Sequence, residues 1–199
     1  MASMLRENFM RSNFFAFLNR MKYITRWGLM RNSRTENVQE HSLQVAMIAH
    51  GLAVIKNKYY GGNINAEKVA TVALYHDASE IITGDLPTPV KYYNREIIAS
   101  YKDLEHKANN KILDMLPEEM SSVYRELFEC ADEYTKKLVK AADKLSAYIK
   151  CIEETEAGNP EFATAKKTVE KWIEECGMPE VEFFMKNFMA GFTLTLDEM

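Results

Sequence analysis

NAEKVATVALYHDASEII, residues Asn65 to Ile82, is the stretch that decides how the chain is read. Val69, Val72, Ala73 and Tyr75 keep the three-and-four spacing of a helix face, and Asn65 is a helix-capping residue type. The same apolar run carries an adjacent His76–Asp77 pair. An unpaired carboxylate in a core loses several kcal/mol of hydration, so a protein that keeps one there gives it a cation or strong donors. His41 upstream and Asp143 downstream lie in similarly apolar runs. Two imidazoles and two carboxylates in such settings point to a metal, and they suit Mn, Fe, Co or Zn better than Ca or Mg.

Outward from that stretch the pattern stays helical. Toward the N-terminus, Glu40 to Lys56 is apolar nearly all round, as in a helix buried on most sides, and Phe9 to Ile24 is amphipathic. Between them, the connector Arg26 to Glu40 sets Arg26, Arg31 and Arg34 beside Trp27, Asn32 and Asn37, a composition suited to phosphate and ring partners. Toward the C-terminus, Gly84 and the prolines at 87 and 89 end the His76 helix in a rigid loop. Helices are then expected over Val90–Leu116, with room for an early break, from Pro117, and over Thr135–Ala157, Glu161–Cys176 and Val181–Ala190. The spacing predicts an all-α bundle of about seven or more helices, with the metal site between helices.

Composition agrees. With 199 residues, 47% hydrophobic, only five prolines and eight glycines, the chain has material for a real core and little for strands. It reads as a single domain spanning 1–199. A formal charge of -4 excludes an overall basic field, so a small ligand is expected in place of a nucleic-acid polymer or a membrane. Three cysteines without CxxC spacing suggest neither a disulfide framework nor a zinc knuckle, and imply a reducing cytoplasm. Met1 to Arg11 lacks a signal-type apolar run, and no stretch approaches about 18 uninterrupted apolar residues.

A helix advances about 100° per residue, so His76 and Asp77 bend toward one point and Glu80 lies one turn along the same face. His41 and Asp143 arrive from other helices. Taken singly, each has an ordinary reading: His41 as a cap, His76–Asp77 as a local hydrogen-bonded pair, Asp143 as an arginine partner. The joint pattern favours the metal. His50 falls on the opposite face of its helix from His41, and His106 sits in a charged surface stretch, so one metal is expected.

The order His…His–Asp…Asp resembles the HD-domain metal-dependent phosphohydrolases. The strings Arg26–Trp27, NVQEHSLQVA (Asn37 to Ala46), YHDASE (Tyr75 to Glu80) and TGDLPTPVK (Thr83 to Lys91) are similar to those of the YfbR-like bacterial 5'-deoxynucleotidases. The resemblance runs from about Phe14 to Glu198 and leaves out the residues before Asn13. It implies hydrolysis of deoxyribonucleoside 5'-monophosphates to deoxynucleoside and phosphate by a homodimer using one divalent cation, such as Co, Mn or Zn. His41, His76, Asp77 and Asp143 match the family's metal ligands. Arg26, which orients the phosphate, and Trp27 match its substrate pair, while Asp85, Leu86, Pro87 and Thr88 match the loop that closes over the nucleotide. His41, Asp77 and Asp143 also border the substrate, and Glu80, Arg26 and Asp77 are the catalytic candidates.

A phosphomonoester dianion repels hydroxide; a metal neutralises that charge and acidifies water, and Arg26 adds a bidentate clamp. Glu80 either protonates the leaving 5'-oxygen or orients the attacking water. Trp27 is a flat wall against the sugar or an ordinary core tryptophan. Two other functions compete: a non-catalytic HD-domain nucleotide sensor, disfavoured by the lack of an effector domain, and a phosphohydrolase of other nucleotides. A di-iron oxygenase needs more ligands than this histidine count supplies.

Overall fold

The computed structural model describes residues 11–91 and 93–199; the expectations placed on residues 1–10, including the start of the first helix, lie outside them. The described residues form helices, turns and loops, with an isolated antiparallel bridge between Thr25 and Asn37. The all-α expectation holds.

The frame is three packed helices, α2 (Val38–Tyr59), α3 (Ala66–Leu74) and α8 (Glu133–Glu156). Val45, Ala49 and Leu52 of α2 meet Val69 and Ala73 of α3 and Leu138, Ala142, Leu145 and Ile149 of α8 in one core. Alanines at 49, 73, 141 and 142 are fully buried there, and their small side chains let the helices approach closely. The helices α9 (Ala163–Glu175) and α10 (Pro179–Phe188) close the far side with Ile173, Val181 and Phe184. Among the described residues no helix is long and apolar enough to cross a membrane.

Several boundaries differ from the sequence reading. The first amphipathic stretch is a short α1 (Phe14–Leu18) running into a 3-10 turn at Asn19–Tyr23. Helix α2 starts earlier than expected because Asn37 accepts the amides of Gln39 and Glu40, both at 3.0 Å, and Glu40 reaches back to the Asn37 amide. Asn37→Ala is expected to cost about 1 kcal/mol, a fall of about 2–4 °C in thermal unfolding. The polar stretch from Val90 breaks early, as the sequence allowed, into α5 (Thr88–Lys91) and α6 (Arg95–Leu113), followed by α7 (Glu118–Glu129).

The correction that matters most falls on the opening stretch. His76 and Asp77 are not inside a continuous helix: α3 ends at Leu74, residues 75–79 form turns, and α4 (Glu80–Thr83) begins afresh. The amides of Tyr75, His76 and Ala78 bond the carbonyls of Val72, Ala73 and Tyr75, the tight three-residue spacing. Packing enforces the break. Ala78 is fully buried in a second, smaller core with Phe14, Ile112, Leu113 and Leu116, and the Tyr75 ring stacks on Phe128 at 5.4 Å. The segment is therefore held between two cores, with Ala73 in the first and Ala78 in the second.

Candidate metal centre and nucleotide site

The turn from α3, the start of α2 and the middle of α8 bring the four expected residues together. His76 Nε2 lies 3.1 Å from Asp77 Oδ2; His41 Nε2 lies 3.6 Å from that oxygen and 3.4 Å from Asp143 Oδ1. One ligand atom each from His41, His76 and Asp143 falls within a 4.8 Å cluster, and these distances set Asp77 beside it. His50 and His106 are exposed and outside the cluster, as expected.

The hydrogen bonds place a proton on Nδ1 of each ring. His76 Nδ1 is 2.7 Å from the Ala73 carbonyl, which only accepts, so Nδ1–H donates and Nε2 is the nitrogen turned toward Asp77. The Ser146 hydroxyl donates to Gln44 Oε1 at 2.6 Å, so its oxygen is left to accept from His41 Nδ1–H at 3.0 Å. Both Nε2 atoms are buried, without a hydrogen-bond partner, and are the nitrogens left to bind a cation. Two orphaned imidazole nitrogens converging beside two carboxylates fit a divalent cation, and the hydrogen-bonded Nδ1 atoms are the outer support that such ligands require.

Electrostatics point the same way. Burial alone would raise Asp77 and Asp143, but His76 and His41 facing Asp77, with His41 and Lys140 facing Asp143, hold both well below the usual carboxylate range. Lys140 Nζ, 3.2 Å from Asp143 Oδ2, ties down the oxygen turned away from His41.

Arg26 reaches in from the loop closed by the Thr25–Asn37 bridge. Its Nη1 is 3.6 Å from Asp77 Oδ2 and its Nε 3.5 Å from Glu36 Oε2. Burial opposes its charge, yet Asp77, Glu36, Asp143 and Asp85 more than offset this and keep the guanidinium ionised. Trp27 donates its indole N–H to Glu36 at 2.9 Å, and its ring meets the buried Phe162 at 5.3 Å. Its backbone is left-handed (φ 59°), which a non-glycine residue adopts only when its surroundings hold it there.

Glu80 is buried, with Oε2 unpartnered. Burial, then the charges of Asp77 and Asp85, pushes its carboxyl up to about 9. Asp85 follows Gly84, whose positive φ of 72° turns the chain out of α4 and whose carbonyl accepts from Tyr101 Oη at 3.1 Å. Burial raises Asp85 too, partly countered by Arg26. Leu86 and Pro87 are half-buried and Thr88 is exposed where α5 starts. A cleft of about 840 Å³ opens elsewhere, between the start of α8 and the α9–α10 turn, and touches this cluster only through Lys140. Orphaned ligand atoms, not cleft size, locate the chemistry.

Sequence reasoning missed Glu36, Gln44, Lys140 and Ser146. Ser146 had a readable signal: it lies three residues after Asp143 on α8, on the same face.

The family described as 5'-deoxynucleotidase YfbR-like matches residues 13–192. This chain belongs to that family. A 5'-deoxynucleotidase of Enterobacter sp. strain 638 is 54% identical to this YfbR-like chain over 191 residues, covering 94% of it and 96% of the relative. The 5'-deoxynucleotidase YfbR of Escherichia coli O1:K1 is 54% identical over 190 residues, with the same coverage of 94% and 96%. Among solved structures, an HD-domain phosphohydrolase from Listeria innocua superposes with a TM-score of 0.78 at 24% identity, covering 90% of this chain and 88% of its own. The cyanophage S-2L HD phosphohydrolase bound to dA and one catalytic Zn2+ superposes at 0.62 and 18% identity, covering 88% and 96%. Both share the fold of this YfbR-like chain.

Proposed function

We propose that the chain hydrolyses deoxyribonucleoside 5'-monophosphates to deoxynucleoside and phosphate, with one divalent cation held by His41, His76, Asp77 and Asp143. The observation that carries this is the pair of buried, partnerless Nε2 atoms converging on Asp77 and Asp143, with the Arg26 guanidinium alongside. When bound, the cation supplies positive charge to the phosphate oxygens and acidifies water.

The chain's own groups do the rest. Arg26, kept charged in a buried setting, binds and orients the phosphate in the fork geometry that guanidinium offers. Asp77 bridges Arg26 and His76, so phosphate and ligand positions are set together. Glu80, buried beside the cluster with a free oxygen, is the acid we assign to the leaving 5'-oxygen. Trp27 walls the sugar, and Asp85, Leu86, Pro87 and Thr88 close over the nucleotide. The 54% identity to 5'-deoxynucleotidases supports this assignment. The same resemblance supports a homodimer acting as one HD domain per chain; the acidic balance of -4 supports a small substrate over a nucleic-acid polymer or membrane, and three cysteines without CxxC spacing support a reducing cytoplasm.

The test strips the protein of metal, reloads it with Co, Mn, Zn or Mg, and measures phosphate released from dAMP and AMP. An unpartnered buried 2'-hydroxyl costs about 1–3 kcal/mol, so dAMP is expected to turn over about 10-fold faster or more. Equal rates refute the deoxy preference. Metal-bound protein that releases no phosphate from any 5'-monophosphate points to the nucleotide-sensor alternative.

A further inference from the structure

We propose that Glu36 is a positioning residue that sets His41, Arg26 and Trp27 at once, an inference that rests on the deoxynucleotidase reading and deepens it. Glu36 immediately precedes the Asn37 cap of α2, and its side chain is only 14% exposed. One oxygen, Oε2, accepts the Trp27 indole N–H at 2.9 Å and stands 3.5 Å from Arg26 Nε, an atom with no hydrogen-bond partner of its own. The other, Oε1, stands 3.7 Å from His41 Nδ1, behind the proton donated to Ser146. The backbone joins the same clamp: the Arg26 amide donates to the Glu36 carbonyl at 2.9 Å, and Thr25 pairs with Asn37.

One carboxylate therefore faces two substrate groups and one metal ligand. A negative charge behind Nδ1–H makes Nε2 a stronger donor, the usual role of a carboxylate outside a metal-binding histidine. On the other side, an ion pair at Nε orients the guanidinium with Nη1 toward Asp77. The indole hydrogen bond holds Trp27 in the left-handed backbone that lets adjacent residues 26 and 27 serve one site. Cation and nucleotide positions are thus coupled through a residue that touches neither.

Glu36→Gln keeps the shape and an acceptor for Trp27 while removing the charge. Calorimetric affinity for Co2+ or Zn2+ is expected to fall about 10- to 100-fold. The KM for dAMP at saturating metal should rise about 10-fold through the loosened Arg26. Ser146→Ala, which touches His41 and not Arg26, should weaken metal binding without that rise in KM. Glu36→Asp, with the charge withdrawn by one methylene, should show both effects at smaller amplitude and serves if Glu36→Gln does not fold. Folded Glu36 variants with wild-type metal affinity and KM, or with a lowered melting temperature alone, overturn the proposal. Metal affinity is read without turnover. A protein whose metal binding depends on Glu36 but which hydrolyses no deoxynucleotide refutes the function and leaves the His41 positioning standing.

Discussion

Glu80→Gln is expected to lower kcat by roughly 100- to 10,000-fold, the span typical of a lost general acid, with metal affinity unchanged. Expressed as transition-state stabilisation, that is about 3–5 kcal/mol. The two halves of the expectation have different origins. Glu80 opens α4, one turn beyond Asp77, and its side chain is buried without a partner for Oε2. Burial and the neighbouring Asp77 and Asp85 charges push its carboxyl up, so it holds a proton where Asp77 and Asp143 are ionised. A group that stays protonated beside two ionised carboxylates competes poorly for the cation. Glutamine copies its size and hydrogen-bonding capacity, so the fold and the cluster should persist, but it has no proton to deliver to the 5'-oxygen. Steady-state phosphate release and calorimetric metal titration on the same preparation separate the possibilities. Loss of metal from Glu80→Gln makes Glu80 a ligand and removes the acid role assigned to it.

The four residues proposed as ligands were legible in the sequence because histidine and aspartate are conspicuous in apolar runs, where burial without a partner is costly. His41, His76, Asp77 and Asp143 all arrive at one cluster. The backbone that delivers two of them was not legible. Asn65 to Ile82 reads as one helix, since periodicity reports only which residues face a core, and this segment faces two. Ala78 packs beneath Phe14 and Ile112, far away in sequence, and that contact breaks the helix at Tyr75. Glu36 was hidden for a related reason. Among the polar residues of the Arg26–Glu40 connector nothing local distinguishes it, and its role emerges only when the Thr25–Asn37 bridge folds the loop back on itself. Polar partners brought together by loop closure leave no period to detect.

The largest stability effect is expected at the opposite end of that loop. Glu154, 1% exposed on α8, pairs with Lys150 and accepts the Ser33 amide at 2.8 Å, the Arg34 amide at 3.3 Å and Asn159 Nδ2 at 2.8 Å. Lys150 also donates to the Arg34 carbonyl at 2.5 Å. The pair fastens the Arg26–Glu40 loop to the bundle. Glu154→Ala strips a buried ammonium of its counter-charge and leaves two amides unpaired. The expected loss is about 3–5 kcal/mol, near 10 °C in melting temperature for a chain of this size. Burial would raise the Glu154 carboxyl, but Lys150, the Ser33 amide and Asn159 outweigh it and hold the group far below its ordinary 4.5. A carboxylate depressed in the folded state stabilises fully above its unfolded pKa, and that contribution declines as pH falls below it. The difference between wild type and Glu154→Ala should therefore be flat from neutral pH to about 5 and shrink in more acidic solution. A difference that grows on acidification contradicts the assignment. The double variant Lys150→Met with Glu154→Leu removes the stranded charge along with its partner. It should recover part of the loss, because the unpaired lysine is what makes the single change severe.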